Sequence, residues 1–326
     1  DGTAALGNGE DGVLIVDAPA NKVGGDVAGT FNIIAANGAH GVELRGDGAD
    51  ANIIQRNIIG SDLFGTLDRG NARAGVYLTP TVGGDGALDN QIGSAAFGAG
   101  GNLISGNGWA GIHIDDAGGT LIRGNRIGTN YAGTAALPNA SGGIDIVFAW
   151  STVIGSVDAG NLISGNTGSG IDVQFEGLLT VVGNRIGSTV DGTAALPNQG
   201  RGVWVRDAWN GAVIGGVDHS AWTCDRACNL IVGHTGAGIE LGTSGYSAHQ
   251  VQGNFIGTRI DGAAALANNT GIQTNVRAEI GGTAAGAGNL ISGNTGHGIL
   301  ASAGSLLALG NRIGSNAAGT AAVANT

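Results

Sequence analysis

A glycine-led motif recurs along this chain and constrains its fold more than any other sequence feature. Glycine, then Ile or Val, then any residue and usually an aliphatic one, occurs ten times. The anchor glycines are Gly12, Gly41, Gly75, Gly111, Gly143, Gly170, Gly202, Gly238, Gly271 and Gly298. They are 27 to 36 residues apart, with a mean of about 32. Periods of this length are typical of solenoids, in which a single repeat cannot bury its apolar face alone.

Two asparagine motifs alternate between these glycines. Asn-x-Ile-Gly begins at Asn57, Asn125, Asn184, Asn254 and Asn311. Asn-Leu-Ile-Ser-Gly-Asn begins at Asn102, Asn161 and Asn289. The alternation divides the chain into five double repeats, and residues 1–326 are therefore predicted to form one domain.

Each repeat has the pattern of short strands rather than of helices. Apolar and polar residues alternate over four to six positions, and Gly-Asn, Asp-Gly and Gly-Gly turns interrupt them. Strands this short bury a face when every strand pairs in parallel with its copy in the next coil. We expect Ile112, Ile114, Ile144, Ile146 and the corresponding Ile171 and Val173 to point inward. Asparagines at equivalent turns, including Asn125, Asn184 and Asn311, should form hydrogen-bonded ladders.

The combination of Gly-Ile-x-Ile with Asn-x-Ile-Gly resembles the right-handed parallel β-helix repeats of bacterial secreted and cell-surface proteins. The resemblance covers essentially all 326 residues. It implies an all-β solenoid of about ten coils in an extracellular or cell-surface location. No helix-like segment precedes Gly12, and the chain ends within another repeat. The expectation is a fragment of a longer repeat protein, with flanking repeats of the same chain as partners.

Composition and charge exclude several classes of protein. The net charge is −11, with 14 basic and 25 acidic residues, so the basic surface required for nucleic-acid binding is absent. The sequence has no apolar run of about 18 residues, which argues against insertion into a membrane. Glycine accounts for 66 residues without a three-residue period, which excludes collagen.

Function in a solenoid is expected where one column of residues departs from the repeat. The second residue after each anchor glycine should point outward. At both ends of the chain this column is aliphatic, whereas in the middle it is rich in polar and aromatic residues. The candidate ligand-binding residues on it and beside it are Glu43, Tyr77, His113, Asp115, Trp204, Trp209 and Glu240. Asp116, Trp150, Glu176, Asp207 and Tyr246 follow the same strands. We expect polysaccharide binding along this face, with Trp204 and Trp209 as stacking platforms.

Asp145 and Asp172 should face each other on adjacent coils, about 5 Å apart. Two such carboxylates could share a calcium ion, the one candidate cofactor. They could also be the acid and nucleophile of a retaining glycoside hydrolase. A third alternative is a polysaccharide lyase with Arg206 as base and Ca²⁺ on the two aspartates. The motifs of the enzymes with this fold are incomplete, because Asp115-Asp116 and His297 are coils apart and Arg-Ile-Lys is absent. The sequence therefore favours binding over catalysis.

Two non-catalytic interpretations also remain. Outward Asp, Glu and Gln on a solenoid usually serve only solubility, and a uniform solenoid can act as a structural stalk or fibre spacer. The irregular central column disfavours the spacer.

The two cysteines lie in an insertion. Three residues separate Cys224 from Cys228. His219 and His234 make a metal site conceivable. A Cys-x₃-Cys pair with distant histidines is a poor zinc signature. A local disulfide is the better prediction, and it implies an oxidising, extracellular location.

Overall fold

The computed structural model describes residues 4–81, 84, 86–94, 100–220, 222–245 and 247–326. These residues contain no helix and form three parallel sheets of ten strands each. Successive strands along the chain belong to different sheets, and each strand pairs with its equivalents one coil before and one coil after. The molecule is a right-handed parallel β-helix of ten coils, which confirms the fold prediction.

The strands are numbered in chain order. The first sheet contains β1 (Val13–Val16), β4 (Val42–Arg45), β7 (Val76–Thr79), β10 (Ile112–Asp115), β13 (Ile144–Val147), β16 (Ile171–Gln174), β19 (Val203–Ala208), β22 (Ala237–Ser244), β25 (Thr270–Thr274) and β28 (Ile299–Ala301). The second contains β2 (Lys22–Val23), β5 (Ile53–Ile54), β8 (Gln91–Gly93), β11 (Leu121–Arg123), β14 (Thr152–Ile154), β17 (Leu179–Val181), β20 (Ala212–Gly215), β23 (His249–Gln252), β26 (Ala278–Gly281) and β29 (Leu306–Leu309). The third contains β3 (Ile33–Ile34), β6 (Ile58–Ile59), β9 (Leu103–Ile104), β12 (Arg126–Ile127), β15 (Leu162–Ile163), β18 (Arg185–Ile186), β21 (Leu230–Ile231), β24 (Phe255–Ile256), β27 (Leu290–Ile291) and β30 (Arg312–Ile313).

The core is built from stacked aliphatic columns. Ile112 pairs with Ile144, which pairs with Ile171, and all three side chains are fully buried. Ile114, Ile146 and Val173 form the next buried column, so the predicted inward positions are confirmed.

The anchor glycine before each of these strands is required by space. A Cβ on Gly111, for example, would lie 2.7 Å from Ile127 Cγ2 and 2.8 Å from the carbonyl oxygen of Gly143.

Buried asparagine ladders run along the solenoid, as predicted. In the first ladder each Nδ2 donates to the Oδ1 of the next member: Asn32, Asn57, Asn102, Asn125, Asn161, Asn184, Asn229, Asn254, Asn289 and Asn311. The second ladder runs in the same way from Asn37 through Asn71, Asn107, Asn139 and Asn166 to Asn198. His234 takes the next position, and Asn268, Asn294 and Asn325 continue the ladder. These amides satisfy turn backbone that the core buries.

The insertion carries the predicted disulfide. Cys224 and Cys228 are bonded to each other, with their Cα atoms 5.1 Å apart. His234 is buried in the second asparagine ladder, and His219 Nε2 lies 2.6 Å from the carbonyl oxygen of Gly286. The sulfurs are therefore occupied by their own bond, and the disulfide prediction is confirmed over the metal alternative.

Candidate functional site

The predicted site residues form one column on the outer face of the first sheet. In-register pairs connect Glu43 to Tyr77, Tyr77 to His113, His113 to Asp145, and Asp145 to Asp172. The column continues from Asp172 to Trp204 and from Trp204 to Glu240. Parallel pairing without bulges puts each residue about 4.8 Å from the next. Asp115 lies beside this column, where its pairing partner is Val147 rather than another carboxylate.

Aromatic rings cover the early part of the column. The His40 ring stacks on Tyr77 with centroids 4.5 Å apart, and Tyr77 lies 5.3 Å from His113. Trp109 packs against His113 at 4.2 Å. This cover leaves His113 almost fully buried although its strand directs it outward, and burial raises the pKa of Tyr77. Sequence reasoning missed His40 and Trp109, which lie one and two residues before an anchor glycine.

The two central carboxylates have separate partners. Asp145 Oδ2 lies 3.0 Å from His113 Nδ1. Arg206 donates to both oxygens of Asp172, from Nε at 2.8 Å and from Nη2 at 2.7 Å. A groove of about 230 Å³ opens between them, lined also by Ser141, Ser169 and Gln174. The predicted pair of aspartates is thus adjacent, as expected, but each carboxylate is already bonded to a different side chain.

Trp204 lies between two arginines. The guanidinium carbon of Arg206 is 3.6 Å from the ring centroid, and that of Arg201 is 3.9 Å from it. Two guanidinium planes cannot approach the same centroid this closely from one side without overlapping, so they cover opposite faces. Arg201 in turn is hydrogen-bonded to Glu240. Stacking of a ligand on Trp204 would therefore require one of these guanidiniums to move.

The pairing bears on the chemical alternatives. A calcium ion shared by Asp145 and Asp172 would have to displace Arg206 from Asp172. The hydrogen bonds to Asp172 raise the pKa of Arg206 above its usual value, which stabilises the charged form and disfavours a role as a base. The geometry thus disfavours the lyase alternative in which Arg206 acts as the base.

Four aromatic side chains lie where the chain turns from the first sheet towards the second, just after the strands that carry the groove residues. We call Phe148, Trp150, Phe175 and Trp209 the corner ridge. Phe148 is 51% exposed, Trp150 38% and Trp209 53%. The rings of Phe148 and Phe175, on consecutive coils, are stacked with centroids 4.8 Å apart.

Sequence reasoning placed Trp150 and Trp209 near this corner but missed Phe148 and Phe175. Both phenylalanines have left-handed backbone, with φ of 54° and 56°. Bulky side chains rarely adopt this conformation, and no sequence rule predicts it. The available signal was that each follows immediately after the last outward residue of its strand. Tyr246, which was grouped with this corner, lies outside the described residues.

Glu176 occupies the same corner but points inward. Its side chain is fully buried, where Oε1 accepts hydrogen bonds from the backbone N–H groups of Thr152 and Leu178. The hydroxyl of Thr152 bonds Oε2 at 3.2 Å. Burial raises the pKa of Glu176 to about 7. This carboxyl joins two coils and does not reach the groove surface.

A second groove, which the sequence analysis did not identify, lies at another corner of the early coils. It has a volume of about 350 Å³ and is lined by the aromatic rings of Phe31, Phe64 and Tyr131 together with Arg56. Phe64 and Tyr131 occupy neighbouring positions of the same loop in two Asn-x-Ile-Gly repeats, and Phe31 comes from elsewhere, so no single column reveals them.

Comparisons with known proteins leave the function to be argued from this geometry. No family model, curated protein or solved structure matches the chain. Within the described residues, no helix is long and apolar enough to cross a membrane.

Proposed function

We propose that this protein is an extracellular β-helix module that binds a polysaccharide across the central coils, between the groove at Asp145 and Asp172 and the corner ridge. One observation carries the proposal: aromatic side chains on consecutive coils directly follow the strands that line a groove with hydroxyl, amide and carboxylate groups. Aromatic faces bind the apolar faces of sugars while polar side chains bind their hydroxyl groups. Exposed aromatic clusters on a soluble protein mark interaction surfaces.

The spacing of the coils suits a repeating ligand. Phe148 and Phe175 occupy adjacent coils, and Trp209 follows on the next. A chain lying along the solenoid axis would meet Phe148 and Phe175 about 4.8 Å apart, and Trp209 lies on the following coil two residues beyond the equivalent position. Solenoids commonly bind extended ligands along such surfaces. A spacer, in contrast, has no need of aromatic rings stacked at one corner on consecutive coils.

The charge of the groove favours a neutral glycan. Arg206 is paired with Asp172 and Arg201 with Glu240, so neither guanidinium is free for an acidic sugar. The net charge of the chain is −11, which repels polyanions at long range. This narrows the expected ligand from polysaccharides in general to neutral ones.

Two further observations support an extracellular module. The disulfide between Cys224 and Cys228 belongs to an oxidising compartment. The repeat motif resembles that of bacterial secreted and cell-surface proteins. We accordingly place the protein outside the cell, on a bacterial surface or secreted from it.

A glycan screen followed by calorimetry on selected variants tests the proposal. We expect a neutral polysaccharide to bind, and Trp209→Ala and Phe148→Ala each to weaken binding about ten- to hundredfold. The estimate follows from the 1–3 kcal/mol measured when an aromatic platform for a nucleic-acid base is removed.

The matched control is Phe64→Ala, since Phe64 is also an exposed aromatic residue, 64% exposed, but lies in the second groove. It should leave the affinity unchanged. If both ridge variants bind as the parent does, or if Phe64→Ala alone loses binding, the ligand does not occupy the corner ridge. Release of reducing or unsaturated sugars by the parent protein would instead support an enzyme.

A further inference from the structure

Three side chains on the first two coils bring possible metal ligands together, away from the central groove. A ring nitrogen of His40 and one carboxylate oxygen each of Asp11 and Glu43 lie within 4.8 Å of one another. His40 and Glu43 are almost fully buried, with 2% and 3% of their surfaces exposed. Asp11 is half-buried and holds the loop, because its Oδ1 accepts the backbone N–H of His40 at 2.8 Å.

One of these ligands has an unused coordination position. Nδ1 of His40 is buried and has no hydrogen-bond partner among the described residues. The stacked Tyr77 ring covers one face of the imidazole and supplies no acceptor in its plane. An unpartnered buried nitrogen is costly, and such groups in a folded protein call for an explanation. A bound metal ion would explain the unpartnered nitrogen, and the neighbouring carboxylates would also bind such an ion.

The electrostatics of the cluster favour a cation. The carboxylates of Asp11 and Glu43 lie close together, and a cation between them would relieve the repulsion of two like charges. Arg45 donates to Oε1 of Glu43 at 2.6 Å.

We propose that Asp11, His40 and Glu43 form a site for a divalent transition-metal ion, with Zn²⁺ as the representative ligand. One imidazole nitrogen and two carboxylate oxygens are a ligand set that zinc accepts, with a fourth position open to water. Calcium prefers six or more oxygen ligands and is poorly served by imidazole. The site differs in place and in chemistry from a calcium ion shared by Asp145 and Asp172.

The repeat explains how the site arises and supplies its control. Asp11 and His40 each immediately precede an anchor glycine, so they occupy the same position on consecutive coils, and Glu43 is the first outward residue of the following strand. His297 occupies that same position before Gly298, but Leu300 stands where Glu43 stands beside His40. His297 thus provides an equivalent histidine without the carboxylates.

Isothermal titration of the whole chain with Zn²⁺, without any glycan, tests the inference. We expect one strongly bound ion per chain and a rise in the melting temperature with zinc. His40→Ala should weaken zinc binding at least about a hundredfold, and Glu43→Gln at least about tenfold, since each removes a ligand. His297→Ala should bind zinc as the parent does. Circular dichroism of each variant checks that it is folded, and Asp11→Asn provides a third, mild substitution at the half-buried ligand.

Several results would overturn the inference. These are absence of tight zinc binding by the parent, unchanged binding in folded His40→Ala and Glu43→Gln, loss of binding in His297→Ala, or a preference for Ca²⁺ over Zn²⁺. The site does not depend on the proposed function. Loss of glycan binding at the corner ridge would leave the zinc result unaffected, and the reverse also holds.

Discussion

Asn161→Ala is expected to lower the free energy of unfolding by about 4 to 6 kcal/mol. The Asn161 amide donates at 2.9 Å to the carbonyl oxygen of Ile122 and at 2.9 Å to Asn184 Oδ1. Its own oxygen accepts the backbone N–H and the Nδ2 group of Asn125, both at 3.0 Å. Alanine removes these bonds and leaves the buried N–H of Asn125 unsatisfied, at about 1–3 kcal/mol for that group and about 1 for each other bond. Urea unfolding at 25 °C measures the loss.

The same chemical change at an exposed turn is the control. Asn210 is exposed, and Asn210→Ala should change the free energy of unfolding by less than about 0.5 kcal/mol. A loss below about 1 kcal/mol for Asn161→Ala would show that the ladder contributes little, and that aliphatic stacking alone holds the coils together.

Glu176→Gln is expected to stabilise the protein increasingly as the pH rises. Burial raises the pKa of Glu176 from 4.5 to about 7 in the folded state, so ionisation of this carboxyl opposes folding. Because the pKa is raised on folding, the protonated Glu176 carboxyl makes its full contribution to the free energy of unfolding below about pH 4.5. This contribution is lost as the pH rises through 7. The shift corresponds to about 3 kcal/mol above pH 8. Glutamine keeps an oxygen for the N–H groups of Thr152 and Leu178 and presents an amide to the Thr152 hydroxyl.

Unfolding curves of the parent and Glu176→Gln between pH 4 and 9 measure the effect. The stability difference should grow by about 3 kcal/mol between pH 4.5 and 8 and then level off. Asn210→Ala, which adds and removes no ionisable group, should differ from the parent by the same amount at every pH. A pH-independent difference for Glu176→Gln would mean that the carboxyl is neutral or ionised throughout this range.

The fold was predictable because the repeat encodes it redundantly. The inward column is predicted because Ile112, Ile144 and Ile171 each directly follow an anchor glycine. The ladder is predicted in the same way, because Asn125 and Asn161 recur at equivalent positions of their repeats. In a solenoid the register of one coil sets that of the next, so a period read from sequence becomes a position in space. The short Cys224–Cys228 loop was equally accessible to sequence reasoning.

The contacts of the candidate site were less predictable, because they depend on side chains that reach beyond their own column. The repeat pattern correctly predicted that Asp172 lies next to Trp204. It could not predict that Arg206 would hydrogen-bond to Asp172 and stack on the ring of Trp204. Long arginine side chains have many rotamers, and their choice is decided by neighbours on other coils. The left-handed backbone at Phe148 likewise follows from the geometry of the corner rather than from its own sequence.

The β-helix suits binding because its surface is ordered before a ligand arrives. The rings of Phe148 and Phe175 are already stacked, and Arg206 is already held by Asp172. Groups fixed in this way lose little conformational entropy on association, so more of the contact energy appears as affinity.

We propose that the polysaccharide binds on the corner ridge. A crystal structure with a bound neutral oligosaccharide from the glycan screen is the most direct test of this location. We expect the sugar rings to pack against Phe148, Trp150 or Trp209. Their hydroxyl groups should point into the groove at Asp145 and Asp172. Sugar bound instead in the groove of Phe31, Phe64 and Tyr131, with the corner ridge bare, would contradict it.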